Sequence, residues 1–251
     1  MHEKIRPDWK DELPDCHRCE LHKTRKKVVP GEGYEAAKIF FVAQAPGRDE
    51  DKKGKMFTGP SGEVLDKLLA QIPLHRKDIY MSNLLKCYLP KCRKPRKKEM
   101  ETCYYYLSAE LQEVKPHIII PLGFHVTRFL FSKFDLEVPN SIQIRKVFGH
   151  LFLAKNYAIL PLRHPSAVVH NRKRMDELSK NYQKISQLLT KCPFIEECPI
   201  PEYQKKGKII PGHIALYCKG LYKNCTRYEG YLSRKHLPDN LMPGGNYDQI
   251  I

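Results

Sequence analysis

The clearest indication of the fold is the stretch Lys38-Ile39-Phe40-Phe41-Val42-Ala43-Gln44-Ala45-Pro46-Gly47, in which an unbroken apolar run ends abruptly in a turn. A short continuous apolar run bounded by a turn is typical of a strand that is buried on both faces. Such strands belong to parallel sheets that are covered by helices on either side. The stretch therefore predicts an α/β protein.

Strand-like and helix-like patterns alternate on both sides of this stretch. Helices are predicted over residues 61–72, 97–115, 124–131 and 175–189, and further strands over residues 79–85, 117–122, 146–154 and 157–162. This alternation predicts a three-layer αβα arrangement with a central, mainly parallel four-stranded sheet. Because ligands bind beyond the carboxyl ends of such strands, chemistry is expected in the loops after Ala43, Leu85 and Leu162.

The character of the chain changes at residue 190. Helical periodicity stops there, and Pro, Gly, Tyr and Cys become frequent. So short a segment cannot build a core of its own. We therefore expect a main domain over residues 1–189 and a small cysteine-rich appendix, stapled by a metal, over residues 190–251.

The charge of the chain points to a polyanionic partner. Lysine and arginine total 44 against 28 acidic residues, for a net charge of +16. Neutralising phosphates with such side chains releases counterions and so favours nucleic-acid binding. A basic proteome or a need for solubility is the alternative explanation. The clustering of the basic residues favours nucleic acid, since they form blocks over residues 22–27, 91–98 and 172–174.

Neither a membrane span nor a leader peptide is expected from the 251 residues. No apolar run approaches the roughly eighteen residues that a span requires. The first residues, Met1-His2-Glu3-Lys4, are polar and unlike a signal peptide. The sequence therefore predicts a cytoplasmic protein that acts as a monomer, without a membrane partner.

Nine cysteines in a chain expected in a reducing compartment favour metal ligation over disulfides. A first set comprises Cys16-x-x-Cys19, Cys87 and Cys103, with Cys92 as the spare. Zinc and iron–sulfur clusters both accept four thiolates, and spacing alone does not separate them. The alternative for Cys87 and Cys103 is an ordinary place in the core.

A second set comprises four cysteines of the appendix: Cys192, Cys198, Cys218 and Cys225. Their spacings of five, nineteen and six residues match no zinc-finger pattern. Four cysteines in so short a segment still favour a metal, either zinc or iron–sulfur.

Three loops that follow predicted strands carry recognisable motifs. They read A-Q-A-P-G-R-D-E-D from Ala43 with G-K-M-F-T-G from Gly54, N-L-L-K-C from Asn83, and H-P-S from His164 with Asn171 downstream. Together they resemble the motifs of the uracil-DNA glycosylase superfamily, most closely its family 4, the archaeal and thermophile type with an iron–sulfur cluster. The resemblance extends from about Pro14 to Leu189.

The resemblance implies a base-flipping enzyme that cuts the N-glycosidic bond of uracil in DNA during base excision repair. Phe57 would stack on the flipped base, with Ala45 and Ser166 beside it, and Asn83 would read the uracil edge. His164 would donate a hydrogen bond to the departing base. Without the resemblance, Phe57 would be interpreted as a core aromatic, Asn83 as a turn former and His164 as a structural histidine.

The resemblance also assigns DNA contacts. The stretch from Ser166 to Asn171 would enter the DNA and fill the gap that the base leaves. The expected DNA-binding residues are Lys94, Arg96, Lys97, Ala167, Asn171 and Arg172.

Gln44 departs from the family pattern, which has Glu at this place. A glutamine cannot act as a base, and Ala45 stands where the best-known branch of the superfamily has a catalytic Asp. We expect the Gln44 amide to position water, with Asp49, Glu50 or Asp51 as a carboxylate nearby. The catalytic residues are then Gln44, Asn83 and His164.

By the same resemblance, the first cysteine set would bind a 4Fe–4S cluster that fixes the basic loop from Lys86 to Lys98. Nothing carries over to the appendix, and no lysine nucleophile is implied, so a lyase step is not expected. Two alternatives stay open. One is a glycosylase for hypoxanthine or another deaminated or modified base, and the other is a non-catalytic nucleic-acid-binding protein that retains the fold.

Overall fold

A six-stranded sheet forms the centre of the computed structural model, which describes residues 8–154, 157–188, 192, 194–209, 211–218, 222, 225–233, 235–239 and 241–244. The strands are β1 (Glu32–Gly33), β2 (Ile39–Ala43), β3 (Tyr80–Asn83), β4 (Ile118–Pro121), β5 (Phe152–Leu153) and β6 (Ala158–Ile159). Their order in the sheet is β1-β3-β2-β4-β6-β5.

The four inner strands are parallel, as predicted, but the sheet is wider than four strands. Strand β2 pairs in parallel with both β3 and β4, and β4 pairs in parallel with β6. Two-residue strands, β1 and β5, close the two edges in antiparallel fashion. Strand β1 escapes sequence analysis because two residues are too few for any periodicity.

Helices cover both faces of the sheet and confirm the αβα class. The longer ones are α3 (Pro60–Leu69), α4 (Lys97–Val114), α5 (Phe124–Lys133) and α8 (Met175–Gln187), and the shorter ones of this part are α1 (Trp9–Glu12), α2 (Arg48–Lys53), α6 (Ile144–Val147) and α7 (Ser166–His170). The predicted end of α8 at Leu189 lies outside the described residues.

Alternate residues of β2 feed two separate cores. Ile39 and Phe41 pack with the apolar faces of α3 and α8, whereas Phe40 and Val42 pack with those of α4 and α5. All five residues of the strand are buried, which is why the sequence shows a continuous apolar run instead of an alternation.

The strand predicted over residues 146–154 is wrong for its first half. Residues Ile144–Val147 are helical, and only Phe152–Leu153 are extended. Gly149 adopts a φ of +78° between the two, and its N–H donates to the carbonyl of Pro161 at 2.7 Å. The left-handed glycine turns the chain and ends any strand there.

The described part of the appendix contains helices α9 (Ile200–Lys205), α10 (Pro211–His213) and α11 (Thr226–Leu232). Its apolar core has five buried members, namely Ile200, Ile209, Ile214, Cys218 and Met242. It contacts the main sheet, since a Cβ atom on Gly212 would lie 3.2 Å from Leu153 Cδ2. No helix among the described residues is both long and apolar enough to cross a membrane.

The register of the inner strands brings the predicted loops together. Ala43 pairs with Asn83 across β2 and β3, and the N–H of Leu85 donates to the Gln44 carbonyl at 3.0 Å. On the other side, Leu122 forms a parallel bridge with Leu162. The loops after Ala43, Asn83 and Leu162 therefore leave the same edge of the sheet.

Candidate functional site

A cavity opens at the carboxyl edge of the sheet, where these loops meet. It holds about 730 Å³ of space, including its open mouth. All six residues expected to be catalytic or to bind substrate line it: Gln44, Ala45, Phe57, Asn83, His164 and Ser166. Three separate loops thus contribute to one wall.

His164 is held in one tautomer by the turn that follows it. The backbone N–H of Ser166 donates to Nδ1 at 3.1 Å, and the Ser166 hydroxyl lies 2.9 Å from the same atom. A backbone N–H is only a donor, so Nδ1 must be the acceptor. In a neutral imidazole the proton is then on Nε2, which is free to donate into the cavity.

Burial lowers the pKa of His164 to about 4. Part of the ring surface stays accessible in the cavity wall, but protein atoms surround the imidazole and no carboxylate pairs with it among the described residues. Desolvation without a counter-charge disfavours the imidazolium. His164 is therefore a neutral hydrogen-bond donor near pH 7.

Phe57 stands in the cavity wall on a strained backbone. Its φ is +48°, which an aromatic residue adopts only when its surroundings impose it. Arg76 Nη2 donates to the Phe57 carbonyl at 3.0 Å, and a Cβ atom on Gly62 would lie only 1.8 Å from that oxygen. The ring lies 5.9 Å from His164, with the two planes inclined by 24°.

Arg76 and Gly62 are positioning residues that the sequence did not single out. Arg76 is anchored by Asp66, with Nε 2.6 Å from Oδ1. A glycine inside a helical pattern is the one sequence signal of this contact, because it suggests a close approach of another chain segment.

Asn83 is buried at the end of β3. Its Nδ2 atom donates to the sulfur of Met56 at 2.9 Å, which holds the amide in one orientation. The amide plane is therefore fixed before any ligand arrives, as recognition of a planar base edge requires.

One of the three candidate carboxylates lines the cavity. Glu50 does so, and its Oε1 accepts the N–H of Gly59 at 3.2 Å. Asp51 instead accepts a hydrogen bond from the N–H of Lys26 at 2.9 Å, which is a structural contact. Asp49 is not among the residues that line the cavity. A Cβ atom on Gly47 would approach Glu50 Oε2 to 2.4 Å, so the glycine makes room for the carboxylate.

The mouth of the cavity includes four residues of the loop over residues 86–98, a placement that the sequence did not predict. Tyr88, Leu89, Cys92 and Arg93 line it, and Arg93 is tied to Glu99 at the start of α4 by a bidentate ion pair of 2.5 and 2.9 Å. Cys92, the spare cysteine, thus faces this cavity and not the first thiol set. Aperiodic loops of this kind carry no pattern that predicts where they fold back.

The first cysteine set lines a second cavity, to which Cys16, Cys19, Cys87 and Cys103 all contribute and which holds about 310 Å³ including space open to solvent. All nine cysteines lie among the described residues, and none of them forms a disulfide there. Burial raises the pKa of Cys87 to about 11 and that of Cys103 to about 12. Both are therefore protonated thiols at neutral pH in the absence of a metal.

Hydrogen-bond donors point at these sulfur atoms. Arg25 Nη1 lies 3.6 Å from Cys87 Sγ, and the N–H of Lys86 donates to Cys103 Sγ at 3.3 Å. Such N–H to sulfur bonds stabilise thiolate ligands. In the described part of the chain, no three Cys, His, Asp or Glu side chains are arranged for a single metal ion.

A buried polar network lies between Asn83 and this thiol set. Lys86 Nζ contacts Glu110 Oε2 at 2.6 Å and Ser82 Oγ at 2.5 Å, and both Lys86 and Glu110 are almost fully buried. Glu110 Oε1 also accepts the N–H of Gly31 at 2.9 Å. The network ties β3 to α4.

The residues expected to contact DNA flank the cavity mouth in sequence. Lys94, Arg96 and Lys97 are exposed and directly follow Arg93 of the mouth. Ala167 is half-buried, and Asn171 and Arg172 are exposed, in the segment that follows Ser166. No described contact joins the two groups to each other.

Comparison with known proteins gives a consistent set of relatives. A family model described as the uracil DNA glycosylase superfamily matches residues 30–190. The chain is similar to the type-4 uracil-DNA glycosylase of Archaeoglobus fulgidus, with 39% identity over 72% of this chain and 91% of the relative. The corresponding protein of Saccharolobus solfataricus is 37% identical over 73% of this chain and 86% of the relative. The type-4 enzyme of Pyrobaculum aerophilum is 39% identical over 67% of this chain and 87% of the relative.

Proposed function

This chain belongs to the uracil DNA glycosylase superfamily, within its type-4 enzymes, and on that premise we propose that it hydrolyses the N-glycosidic bond of uracil in DNA. The single observation that best supports this activity is the cavity shared by Phe57, Asn83 and His164. We also propose that residues 1–189 are the glycosylase domain, which fits the end of the family match at residue 190.

Uracil would reach the cavity by leaving the base stack, at a cost of a few kcal/mol. The Phe57 ring would then stack on the extruded pyrimidine, and the Asn83 amide would pair with its polar edge. The small side chain of Ala45 leaves room for the base. The fixed orientation of Phe57 and Asn83 lowers the entropy that binding must overcome.

Bond cleavage leaves negative charge on the departing base, and His164 would meet it. The Nε2–H donor needs no proton transfer, since hydrogen bonding to the developing charge stabilises the transition state. A neutral donor at pH 7 agrees with the low pKa of this histidine. Water would be oriented by the Gln44 amide, with Glu50 as the nearest candidate carboxylate.

The first thiol set fits a 4Fe–4S cluster better than a single zinc ion. One zinc gathers its four sulfurs at bonds of about 2.3 Å, whereas each thiolate of a four-iron cluster binds a different iron atom. Cys16, Cys19, Cys87 and Cys103 would hold the cluster, which supplies structural rigidity. Since Cys87 and Cys103 bracket residues 88–98, it would fix that loop at the cavity mouth.

The DNA backbone would be held by the exposed basic residues on either side of the mouth: Lys94, Arg96, Lys97 and Arg172. Ala167 and Asn171 would occupy the gap in the stack. Phosphate contacts of this kind position a protein on DNA without reading its sequence.

Release of free uracil from a deoxyuridine-containing oligonucleotide tests the proposal. We expect anaerobically purified protein to release uracil and leave an abasic site that breaks only after alkali, as a monofunctional enzyme does. An oligonucleotide with thymine at the same position is the control. An intact product from cluster-loaded protein, in a reaction where an established glycosylase releases uracil, would refute the activity.

Gln44 in the cavity wall favours one second candidate, which is a glycosylase for hypoxanthine or another altered base. Wild type and Gln44→Glu should be compared on a panel of deaminated bases. Preference for uracil in both proteins supports the first function, and a wild-type preference for another base supports the second. Salt-sensitive DNA binding with no base release from any substrate would instead identify a non-catalytic binder.

A further inference from the structure

The four cysteines of the appendix line a cavity of their own. Cys192, Cys198, Cys218 and Cys225 surround about 290 Å³ of space, against about 310 Å³ for the first thiol set. Three of them are buried, and Cys198 is half-buried. The family match stops at residue 190, before this second set.

Backbone amides point at the sulfur atoms of this set, as they do in the first. The N–H of Phe194 donates to the sulfur of Cys192, and the N–H groups of Arg227 and Tyr228 donate to that of Cys225. The N–H of Cys192 reaches the carbonyl of Cys218 at 2.8 Å and joins the two halves of the set. Donors aimed at sulfur favour the thiolate that a metal needs.

A buried cation borders the same cavity. Arg227 is 2% exposed, and its Nη1 donates to the carbonyls of Pro238, Asp239 and Leu241 at 2.7, 3.4 and 3.1 Å. Its Nε has no hydrogen-bond partner. The side chain also bonds to Tyr231 and Cys198, and no carboxylate among the described residues forms an ion pair with it.

Burying a guanidinium without an anion is unfavourable, so negative charge beside Arg227 would stabilise the fold. Neutral thiols do not supply it. A cluster held by four thiolates does, because the complex carries net negative charge. In the first set Arg25 has the corresponding place, with Nη1 at 3.6 Å from Cys87 Sγ.

We propose that the appendix holds a second 4Fe–4S cluster, bound by Cys192, Cys198, Cys218 and Cys225. The donor set consists of thiols alone, and its cavity matches the first in size. As in the first set, no three of the described side chains are arranged for a single ion. The cluster would also stabilise a segment whose apolar core has only five buried members.

Metal and sulfide analysis of the full chain tests this inference. Protein purified anaerobically should contain about eight iron atoms and eight acid-labile sulfides per chain. The variant Cys198→Ser/Cys225→Ser should retain about four of each and still release uracil, because the family match excludes this segment. The matched variant Cys87→Ser/Cys103→Ser should also fall to about four, and Cys92→Ser, outside both sets, should keep about eight.

Three results would overturn the proposal. The first is a wild-type content near four iron atoms that the appendix variant keeps. The second is one zinc ion per chain in wild type that the appendix variant loses. The third is an appendix variant with the same iron content as wild type, whatever that content is. If the appendix variant fails to fold, native mass spectrometry of wild type still decides, since the chain must carry the mass of two clusters. None of these measurements depends on uracil release.

Discussion

At the level of single residues, the hydrogen bond from the Ser166 N–H to Nδ1 leaves His164 with Nε2–H as its donor. We expect His164→Ala to lower kcat by about 10²- to 10³-fold, the loss found when one preorganised donor to a developing oxyanion is removed. The Kd for uracil-containing DNA should change little, because the donor acts on charge that appears in the transition state. Single-turnover kinetics measure the effect on the chemical step, and DNA-binding measurements the effect on Kd. Loss of binding with an unchanged chemical rate would contradict this role.

The low pKa of His164 makes a second prediction, about pH. The folded protein keeps the imidazole neutral down to about pH 4, whereas the unfolded chain protonates it near 6.5. The unfolded state then binds more protons between these values, so the stabilising contribution is complete above about pH 6.5 and is lost as pH falls towards 4. In wild type kcat should show no histidine titration between pH 5 and 8. Stability of His164→Asn should depend less on pH over the window from 6.5 to 4.

At the scale of elements, the contact between α3 and the loop before it sets the position of Phe57. An alanine in a helix normally stabilises it by about 0.5–1 kcal/mol relative to glycine. Gly62→Ala should do the opposite, because its Cβ would lie 1.8 Å from the Phe57 carbonyl oxygen and must displace the strained loop. We expect a lower free energy of unfolding and a raised KM for uracil-containing DNA.

Lys67→Ala, on an exposed position of the same helix, is the matched control for denaturant unfolding. It should be close to neutral. A Gly62→Ala protein that is as stable as wild type and has an unchanged KM would show that the Phe57 loop does not need this close approach.

The buried network between β3 and α4 can be tested by a double-mutant cycle. Lys86→Met should cost about 3–5 kcal/mol, because it leaves the Glu110 carboxylate buried and without a cation. Glu110→Gln keeps an acceptor for the N–H of Gly31. Lys86→Met/Glu110→Gln should therefore be more stable than Lys86→Met, as measured by denaturant unfolding. Equal stabilities of the single and double variants would mean that the pair is not coupled.

The sequence predicts an element well when neighbouring residues determine it, and poorly when contacts distant in sequence determine it. The continuous apolar run predicted β2, and the helical spacing of apolar residues predicted α4, because burial imposes its period on consecutive residues. Gly149 interrupted the strand predicted over residues 146–154 through a φ that no period reveals. The choice of Glu50 over Asp49 and Asp51 was equally hidden, because three adjacent acids differ only in where a tertiary fold points them.

At the scale of the whole molecule, the net charge of +16 predicts DNA binding that weakens steeply with salt. Arg172→Ala should weaken binding about equally for all sequences and reduce the slope of log K against log salt by about 0.7–0.9. Lys206→Ala, exposed in the appendix, is the control and should leave the slope unchanged. An unaltered slope for Arg172→Ala would remove that residue from the phosphate contacts.

The pairing of Ala43 with Asn83 has a consequence for how this protein can diverge. Side chains alternate between the faces of a sheet with a period of two, so deleting one residue inside β2 would exchange its two cores and turn position 44 away from the cavity. Replacing one amino acid by another at that position leaves the count intact. A substitution at residue 44 therefore preserves the fold, whereas a deletion in the strand before it does not.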